Sequence, residues 1–163
     1  MELKFVDPMI ATYATLSEVR GLALFVPLDR TQDVMFVGGG EEPYAVFLSG
    51  AWVGESFQLK AAENWEGMCI SGVTVEVDPD SAYSPEATEK QALSIVRRGE
   101  FLGLFSLSKR GGFSQRIAIP INSEEDPSTE RRLGFTRWRL VHGEGFNKVV
   151  LRNVEALPKA IDR

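Results

Sequence analysis

The chain has 163 residues, of which 44% are hydrophobic and 25% are charged, and its formal net charge is −5. The composition is that of a globular protein, and the length predicts a single domain over residues 1–163, because most domains hold about 100–150 residues. The negative charge disfavours general nucleic-acid binding, and the one cysteine, Cys69, excludes an intrachain disulfide.

The first 60 residues are predicted to hold one short helix followed by strands. Residues 11–20 follow a proline and stop at a glycine, which favours a helix. Residues 33–37 and 44–48 are apolar runs that flank GGGEEP, the pattern of a β-hairpin with a longer loop. Residues 51–60, AWVGESFQLK, are predicted to form a further strand.

The middle of the chain contains one clear strand and one ambiguous segment. Residues 73–78, VTVEVD, alternate apolar and polar side chains, as a strand with one buried face does. In residues 84–99, a serine and proline at the start, two arginines at the end and a following glycine favour a helix. The alternative is a loop at SPEATEK and a strand at ALSIVR that turns into the next strand.

The last third of the chain predicts two β-hairpins. Residues 101–108 and 113–121 flank the turn KRGG, and residues 135–142 and 146–154 flank the turn GEG. Pro120 has no N–H to donate, so we expect its end of the strand at a sheet edge.

Many short strands with a turn at roughly every 8–12 residues are typical of antiparallel sandwiches and barrels. The sequence therefore predicts a mainly β fold, either an antiparallel, jelly-roll-like β-sandwich or a partly open barrel, with one or two short helices. The strand order stays open. The N-terminus lacks a secretory signal, and the longest apolar run, residues 21–28, is far below the ~20 residues of a membrane span. We expect no membrane association and a cytoplasmic location, free or within a particle assembled there.

Catalytic constellations are not evident in the sequence. A Ser-His-acid triad or a Cys69–His142 pair would need the only histidine, and no G-x-S-x-G elbow is present. The glycine-containing segments 38–43 and 143–150 lack the helix N-terminus of a phosphate loop and are better explained as hairpin loops. An enzyme is therefore the least favoured class, and we expect no cofactor.

One acidic segment offers a weak candidate metal site. In DPDSAYSPEATE, Asp78, Asp80 and Glu89 occupy positions 1, 3 and 12 of the EF-hand spacing. Ala82 and Tyr83 stand where a ligand and a glycine are required, so an acidic turn at a strand end is the better interpretation. We predict no metal centre.

Two pairs of residues are candidates for a ligand platform. Trp52 and Gln58 fall on the polar face of the predicted strand 51–60, while Trp138 and His142 share one face of residues 135–142. A tryptophan among polar neighbours is typical of surfaces that stack against sugars. Packing within the domain is the competing interpretation for both tryptophans.

Charge is unevenly distributed along the chain. Residues 1–90 hold 15 acidic and 5 basic side chains, whereas residues 91–163 hold 8 acidic and 13 basic ones. Arg137 and Arg139 share the exposed face of a predicted strand, and Arg152 is expected beside them on the paired strand. Such a row either binds a carboxylate- or phosphate-bearing partner or pairs with the acidic half of its own domain.

These features favour a non-catalytic, β-rich binding or assembly module that acts through protein–protein contacts. It would self-associate or form a subunit of a larger, virus-like or multiprotein assembly, because the opposite charges of its two halves suit head-to-tail contacts. The alternative is a carbohydrate- or small-ligand-binding β-sandwich domain with a glycan as one possible ligand.

Overall fold

The computed structural model describes residues 10–61, 65–84, 91–110, 113–122, 124–127 and 132–158, with side chains except at 108–110 and 113–117. In chain order the strands are β1 (Ala11–Thr15), β2 (Ala23–Pro27), β3 (Met35–Gly38), β4 (Tyr44–Phe47), β5 (Ser56–Gln58), β6 (Glu66–Ser71), β7 (Thr74–Val77), β8 (Ala82–Tyr83), β9 (Ile95–Arg98), β10 (Phe101–Arg110), β11 (Phe113–Pro120), β12 (Leu133–Phe135), β13 (Arg137–His142) and β14 (Val149–Glu155).

The strands form three antiparallel sheets. Their strand orders are β1-β6-β2-β3-β4-β5, β11-β10-β9-β12-β8 and β14-β13-β7. Every helix in the described ranges is a three-residue 3₁₀ helix, at Leu16–Glu18, Leu59–Ala61, Pro79–Ser81 and Gly145–Asn147. No helix of the described part has the length and apolar character needed to cross a membrane.

The main core lies between the six-stranded sheet and the two smaller sheets. Leu24 and Phe36 of the large sheet belong to one buried cluster with Ile95 of the five-stranded sheet and Trp138 and Leu140 of the three-stranded sheet. Removal of these side chains from water is the main force that holds the layers together. The layers therefore enclose one continuous apolar interior.

The layers are also joined along one edge by hydrogen bonds. The Leu107 N–H donates to the Gly54 carbonyl oxygen at 2.8 Å, and the Ser106 hydroxyl lies 2.8 Å from that of Ser56. These bonds connect the β5 edge of the large sheet with β10 of the five-stranded sheet. The predicted mainly β, antiparallel fold is confirmed, with two layers as in a sandwich and one joined edge as in a partly open barrel.

A second buried cluster covers the outer face of the six-stranded sheet. Phe25, Met35 and Phe47 point away from the main core and pack with Leu16 and Leu59, which belong to two of the 3₁₀ helices. All five side chains are buried. The central strands of this sheet are therefore apolar on both faces.

Both C-terminal hairpins and the hairpin of β3 and β4 are confirmed. β11 is an edge strand and Pro120 lies at its end, as expected. The helix predicted over residues 11–20 is wrong, because this segment pairs with β6 as β1 and only then makes a single 3₁₀ turn. Pairing with a neighbouring strand outweighed the local helix signals.

The ambiguous segment 84–99 ends as a strand, so the alternative prediction is right for Ile95–Arg98. Residues 85–90 lie outside the described residues. The strand predicted over 51–60 is too long, because residues 51–54 form a turn and only Ser56–Gln58 is β5.

Candidate functional site

The three-stranded sheet has one buried face and one exposed face. On its central strand β13, Trp138 and Leu140 point into the main core, whereas Arg137 and Arg139 are exposed. This is the alternation expected of a strand with period 2. The exposed face is the surface on which the sequence pattern predicted a row of arginines.

Acidic residues of β7 and the turn after it lie beside these arginines. The Arg137 Nε donates to Asp78 Oδ2 at 3.1 Å, and the Arg139 Nε donates to Glu76 Oε1 at 2.8 Å. Lys148 binds the other carboxylate oxygen of Glu76. We call Glu76, Asp78, Arg137, Arg139 and Lys148 the charged row. Each of its ion pairs joins the acidic half of the sequence to the basic half.

The charged row affects the ionisation of Glu76. The ammonium of Lys148 and then the guanidinium of Arg139 hold the pKa of the Glu76 carboxyl below its ordinary value. Arg137 and Arg139 remain accessible, with side-chain exposures of 52% and 44%. The charges of the row are therefore paired with one another, and its two arginine side chains are still accessible to a partner.

A shallow groove of about 570 Å³ follows this face of the sheet. Four residues of the charged row line it, all except Lys148, together with the polar side chains of Asn153 and Glu155 on β14. Parts of Val77, Trp138 and Val154 complete the lining. Donors and acceptors alternate along it, which suits polar contacts more than the burial of an apolar ligand.

Arg152 does not extend the arginine row. In the register of β13 and β14 it lies opposite Leu140, on the core side, while Asn153 lies opposite Arg139. The Arg152 guanidinium reaches the Leu48 carbonyl oxygen at 3.5 Å, next to β4 of the opposite layer, and burial lowers its pKa. The expectation of three adjacent guanidiniums is therefore wrong for Arg152.

The turn of the same hairpin exposes apolar side chains. Phe146 is fully exposed, and Val149 and Val150 are 38% and 41% exposed. We call these three residues the hairpin tip. Gly143 and Gly145 flank Glu144 with positive φ angles of 83° and 57°, a backbone that glycine adopts without strain. The turn thus holds an aromatic side chain out in solvent.

Trp52 belongs to an aromatic cluster on the outer face of the large sheet. Its ring meets Phe47 edge-on at a centroid distance of 5.5 Å, and Phe57 contacts the same phenylalanine at 5.5 Å. The Arg30 guanidinium lies 4.0 Å from the Trp65 ring centroid and 5.3 Å from that of Trp52. Such cation–π contacts hold the cluster together. Trp52 is 45% exposed at its border.

The structure places the predicted platform residues Trp52 and Gln58 on different faces of the large sheet and buries Trp138 in the main core. Gln58 lies opposite Tyr44 and donates to its hydroxyl at 3.1 Å, on the main-core side of the sheet and away from Trp52. Trp138 is buried, packs edge-on against Phe36 and donates its indole N–H to the Leu93 carbonyl oxygen at 2.7 Å. Trp138 therefore presents no ring to a ligand.

His142 lies at the end of β13, half-buried and opposite Val149. Cys69 is buried on the outer face of the six-stranded sheet, and burial raises the pKa of its thiol. The large sheet therefore separates these two side chains, and the structure does not bring them together as a nucleophile and base.

The weak metal candidate gains no support. Asp78 accepts the Asp80 backbone N–H at 3.0 Å, as the cap of the 3₁₀ helix Pro79–Ser81, and its other oxygen pairs with Arg137. Glu89 lies outside the described residues. Among the residues that are described, no three histidine, cysteine or acidic side chains converge.

Sequence reasoning missed two parts of this surface. Phe146 directly follows a Gly-Glu-Gly turn, and this position was the available signal, because connecting segments almost always lie at the surface. Lys148 and Glu76 are far apart in sequence, and only the pairing of β13 with both neighbours brings them together.

Comparisons with known proteins give one family. Residues 13–161 match the family model described as uncharacterised protein y4lG. The chain is 32% identical over 146 residues to the uncharacterised protein y4lG of Sinorhizobium fredii (strain NBRC 101917 / NGR234), covering 89% of this chain and 90% of that protein. No solved structure matches it. The chain belongs to the y4lG family.

Proposed function

We propose that this protein is a non-catalytic binding or assembly module, and that it contacts a protein partner through the β13–β14 hairpin. The observation that carries the proposal is the fully exposed phenyl ring of Phe146, with Val149 and Val150 exposed beside it in sequence. Exposure of large apolar side chains costs free energy in the free protein, and a partner that buries them recovers it.

The charged row complements the hairpin tip. Typical protein interfaces have a buried aromatic anchor surrounded by polar and charged groups. Phe146 is a suitable anchor, and Arg137 and Arg139, each more than two-fifths exposed, are suitable rim groups. A partner with carboxylates near an apolar pocket fits this arrangement, since each guanidinium keeps further N–H donors beside its own ion pair.

The proposal is tested by site-specific photo-cross-linking in the cells that produce the protein. A photoreactive phenylalanine analogue replaces Phe146 in one variant and Leu133, which is 39% exposed on the five-stranded sheet, in a matched control. We expect one discrete cross-linked protein at position 146 and none at position 133. Equal cross-linking at both positions, or none at position 146, contradicts the proposal.

The cross-linked protein is then purified and its binding measured by calorimetry. Loss of an anchoring aromatic side chain costs about 2 kcal/mol or more, so Phe146→Ser is expected to weaken binding by roughly 30-fold. Arg137→Ala should weaken it less, because rim contacts contribute less than the centre. Leu133→Ser should leave the affinity unchanged, and an equal loss in that variant would contradict the hairpin as the contact surface.

Small-ligand or glycan binding is a second candidate, supported by the groove along the charged row. Its volume of about 570 Å³ lies within the range of ligand sites, and Asn153 and Glu155 offer groups for sugar hydroxyls. The groove has no exposed aromatic ring, because the Trp138 side chain is buried. A glycan panel tests this candidate: saturable binding that Asn153→Ala abolishes supports it, and no binding across the panel rejects it.

A further inference from the structure

β1 is an edge strand of the six-stranded sheet, and within the described ranges only β6 pairs with it. It pairs with β6 in straight register from Ala11 opposite Ile70 to Thr15 opposite Glu66, with no bulge. Its sequence, ATYAT, contains no charge and no proline. Edge strands usually carry such features because they prevent pairing with another chain. β1 therefore lacks the usual protection.

Other edges of the described sheets are protected. β5, at the opposite edge of the large sheet, is closed by the bond from Leu107 to Gly54. β14 carries Arg152 and Glu155, and its pairing with β13 is interrupted by a register shift. β7 carries Glu76, β11 carries Arg116 and ends at Pro120, and β8 has two residues. The contrast singles out β1.

The hydrogen bonds of β6 show which backbone groups of β1 face outward. The Leu28 N–H donates to the Glu66 carbonyl oxygen and the Gly72 N–H to that of Leu22, so the even-numbered residues of β6 bond towards β2. The odd-numbered residues bond towards β1, where Thr12 and Ala14 oppose them.

It follows that Ala11, Tyr13 and Thr15 direct their N–H and C=O groups away from the sheet. Among the described residues, β6 is the only strand that pairs with β1, and Thr15 is also the N-cap of the 3₁₀ helix Leu16–Glu18. Ala11, Tyr13 and Thr15 are spaced two residues apart, as an antiparallel partner strand requires.

We propose that a second copy of this chain pairs with β1 through its own β1, antiparallel and about a two-fold axis at Tyr13. Tyr13 then opposes Tyr13 of the second copy, Ala11 opposes Thr15, and Thr12 opposes Ala14. Because the outward-facing residues oppose one another in this register, roughly four to six backbone hydrogen bonds form, since each Thr15 carbonyl also begins the 3₁₀ helix that follows. The two six-stranded sheets become one continuous sheet across the axis.

The side chains of this register are compatible with a self-complementary contact. Tyr13 is 58% exposed, and Met68, directly opposite it on β6, is 38% exposed. The axis brings two tyrosine rings together on one face of the sheet, an aromatic cross-strand pair of the kind that stabilises sheets. Thr12 and Ala14 are small, so they oppose each other without steric conflict.

The charges of the two copies also permit close approach. The rings at the axis are neutral at physiological pH because a tyrosine phenol ordinarily has a pKa of about 10, and the hydrogen bond to Glu66 raises the pKa of Tyr13 further. Glu66 is the nearest charged residue of the β1–β6 pair and lies opposite Thr15, at the strand end. Strand spacing and rise place the Cα atoms of the two Glu66 residues roughly 20 Å apart.

This interface is separate from the hairpin tip and goes beyond the proposed function. Two five-residue strands bury less than the roughly 1,200 Å² of a standard interface. The interface therefore falls in the class of weak, transient contacts, and dimers are expected only at high protein concentration.

Sedimentation velocity over a range from low micromolar to near-millimolar protein tests the proposal. The mass is expected to rise from that of one chain towards that of two. Tyr13→Lys and Tyr13→Glu place like-charged residues directly opposite each other across the axis, with their Cα atoms about 5.5 Å apart, so each variant alone should remain monomeric. An equimolar mixture of the two variants should recover dimers, because the axis then joins opposite charges.

Leu133→Lys is the matched control, since it adds the same charge at an exposed apolar position of the five-stranded sheet. It should dimerise as the wild type does. If the wild type stays monomeric throughout, or if the Tyr13 variants dimerise alone, the β1 interface is overturned while the hairpin proposal stands. If a further variant, Phe146→Lys, is the only one that abolishes dimerisation, self-association uses the hairpin and the β1 interface is likewise overturned.

Discussion

In β2, β3 and β4 of the six-stranded sheet, both faces are buried, whereas in the three-stranded sheet only one face of β13 is buried and the other carries the charged row. The sequences of these strands differ accordingly. ALFVP and MFVG are continuous apolar runs, whereas RWRLVH begins with charged and apolar side chains in alternation. The comparison teaches that the large sheet is the structural centre and that the small sheet provides the accessible surface.

The largest expected effect comes from removing a ring on the outer face of the large sheet. Phe25→Ala should lower the free energy of unfolding by about 3–5 kcal/mol, because it leaves a cavity in the second core. Phe36→Ala, on the inner face, should cost about as much. Urea denaturation measures both.

The matched control for this comparison is on the outer face of the small sheet. Asn153→Ala, at an exposed position opposite Arg139, should change the free energy of unfolding by no more than about 0.5 kcal/mol. A cost for Phe25→Ala as small as that of Asn153→Ala would show that the outer face of the large sheet is not a second core.

A smaller effect is expected where the small sheet meets the large one. Trp138→Phe removes the indole N–H that binds the Leu93 carbonyl oxygen and leaves that oxygen without this donor, at a cost of about 1–3 kcal/mol. Thermal unfolding followed by circular dichroism measures the loss. Trp52→Phe is the control, and as a change at a half-exposed site it should cost about 0.5 kcal/mol. Equal losses in the two variants would contradict the different roles assigned to the tryptophans.

The smallest effect concerns the charged row and depends on pH. Since the folded-state pKa of Glu76 is below its ordinary value of 4.5, its ion pairs stabilise the fold above that value, and the contribution disappears as pH falls through the lowered pKa. Glu76→Gln should therefore lower the Tm at pH 7 but not at strongly acidic pH. Added salt should narrow the difference at pH 7.

Lys148→Met should reproduce part of the Tm loss of Glu76→Gln at pH 7, because Lys148 contributes most to the lowering of the Glu76 pKa. Glu41→Gln, an exposed change in the loop between β3 and β4, is the control. A difference between the wild type and Glu76→Gln that is constant from neutral to acidic pH would show that the ion pairs do not stabilise the fold.

The hairpins were predictable because their signals are local. Strands on both sides of GGGEEP, KRGG and GEG alternate or are apolar, and short turns constrain their flanks to pair. The ion pairing of the arginines with the acidic half was foreseen as one of two uses of Arg137 and Arg139. In the charged row, both arginines do form ion pairs with acidic residues of the first half of the chain.

The errors have a common physical cause, because each depends on a neighbour distant in sequence. β1 is a strand only because β6 lies beside it. Trp52 is on the same side as Phe57, not Gln58, because the turn at 51–54 breaks the alternation assumed for residues 51–60. Arg152 faces the core because a one-residue change of register moves a side chain to the other face of the sheet.

The amino-acid sequence by itself determined the β class, the three hairpins and the alternating pattern that places Arg137 and Arg139 outside and Trp138 and Leu140 inside. Those features depend on period, turn residues and polarity, which act over a few residues. Only the tertiary structure decided the register of β14, the second core and the edge position of β1. Each requires two segments far apart in sequence to meet, and the free energy of that contact is absent from either segment alone.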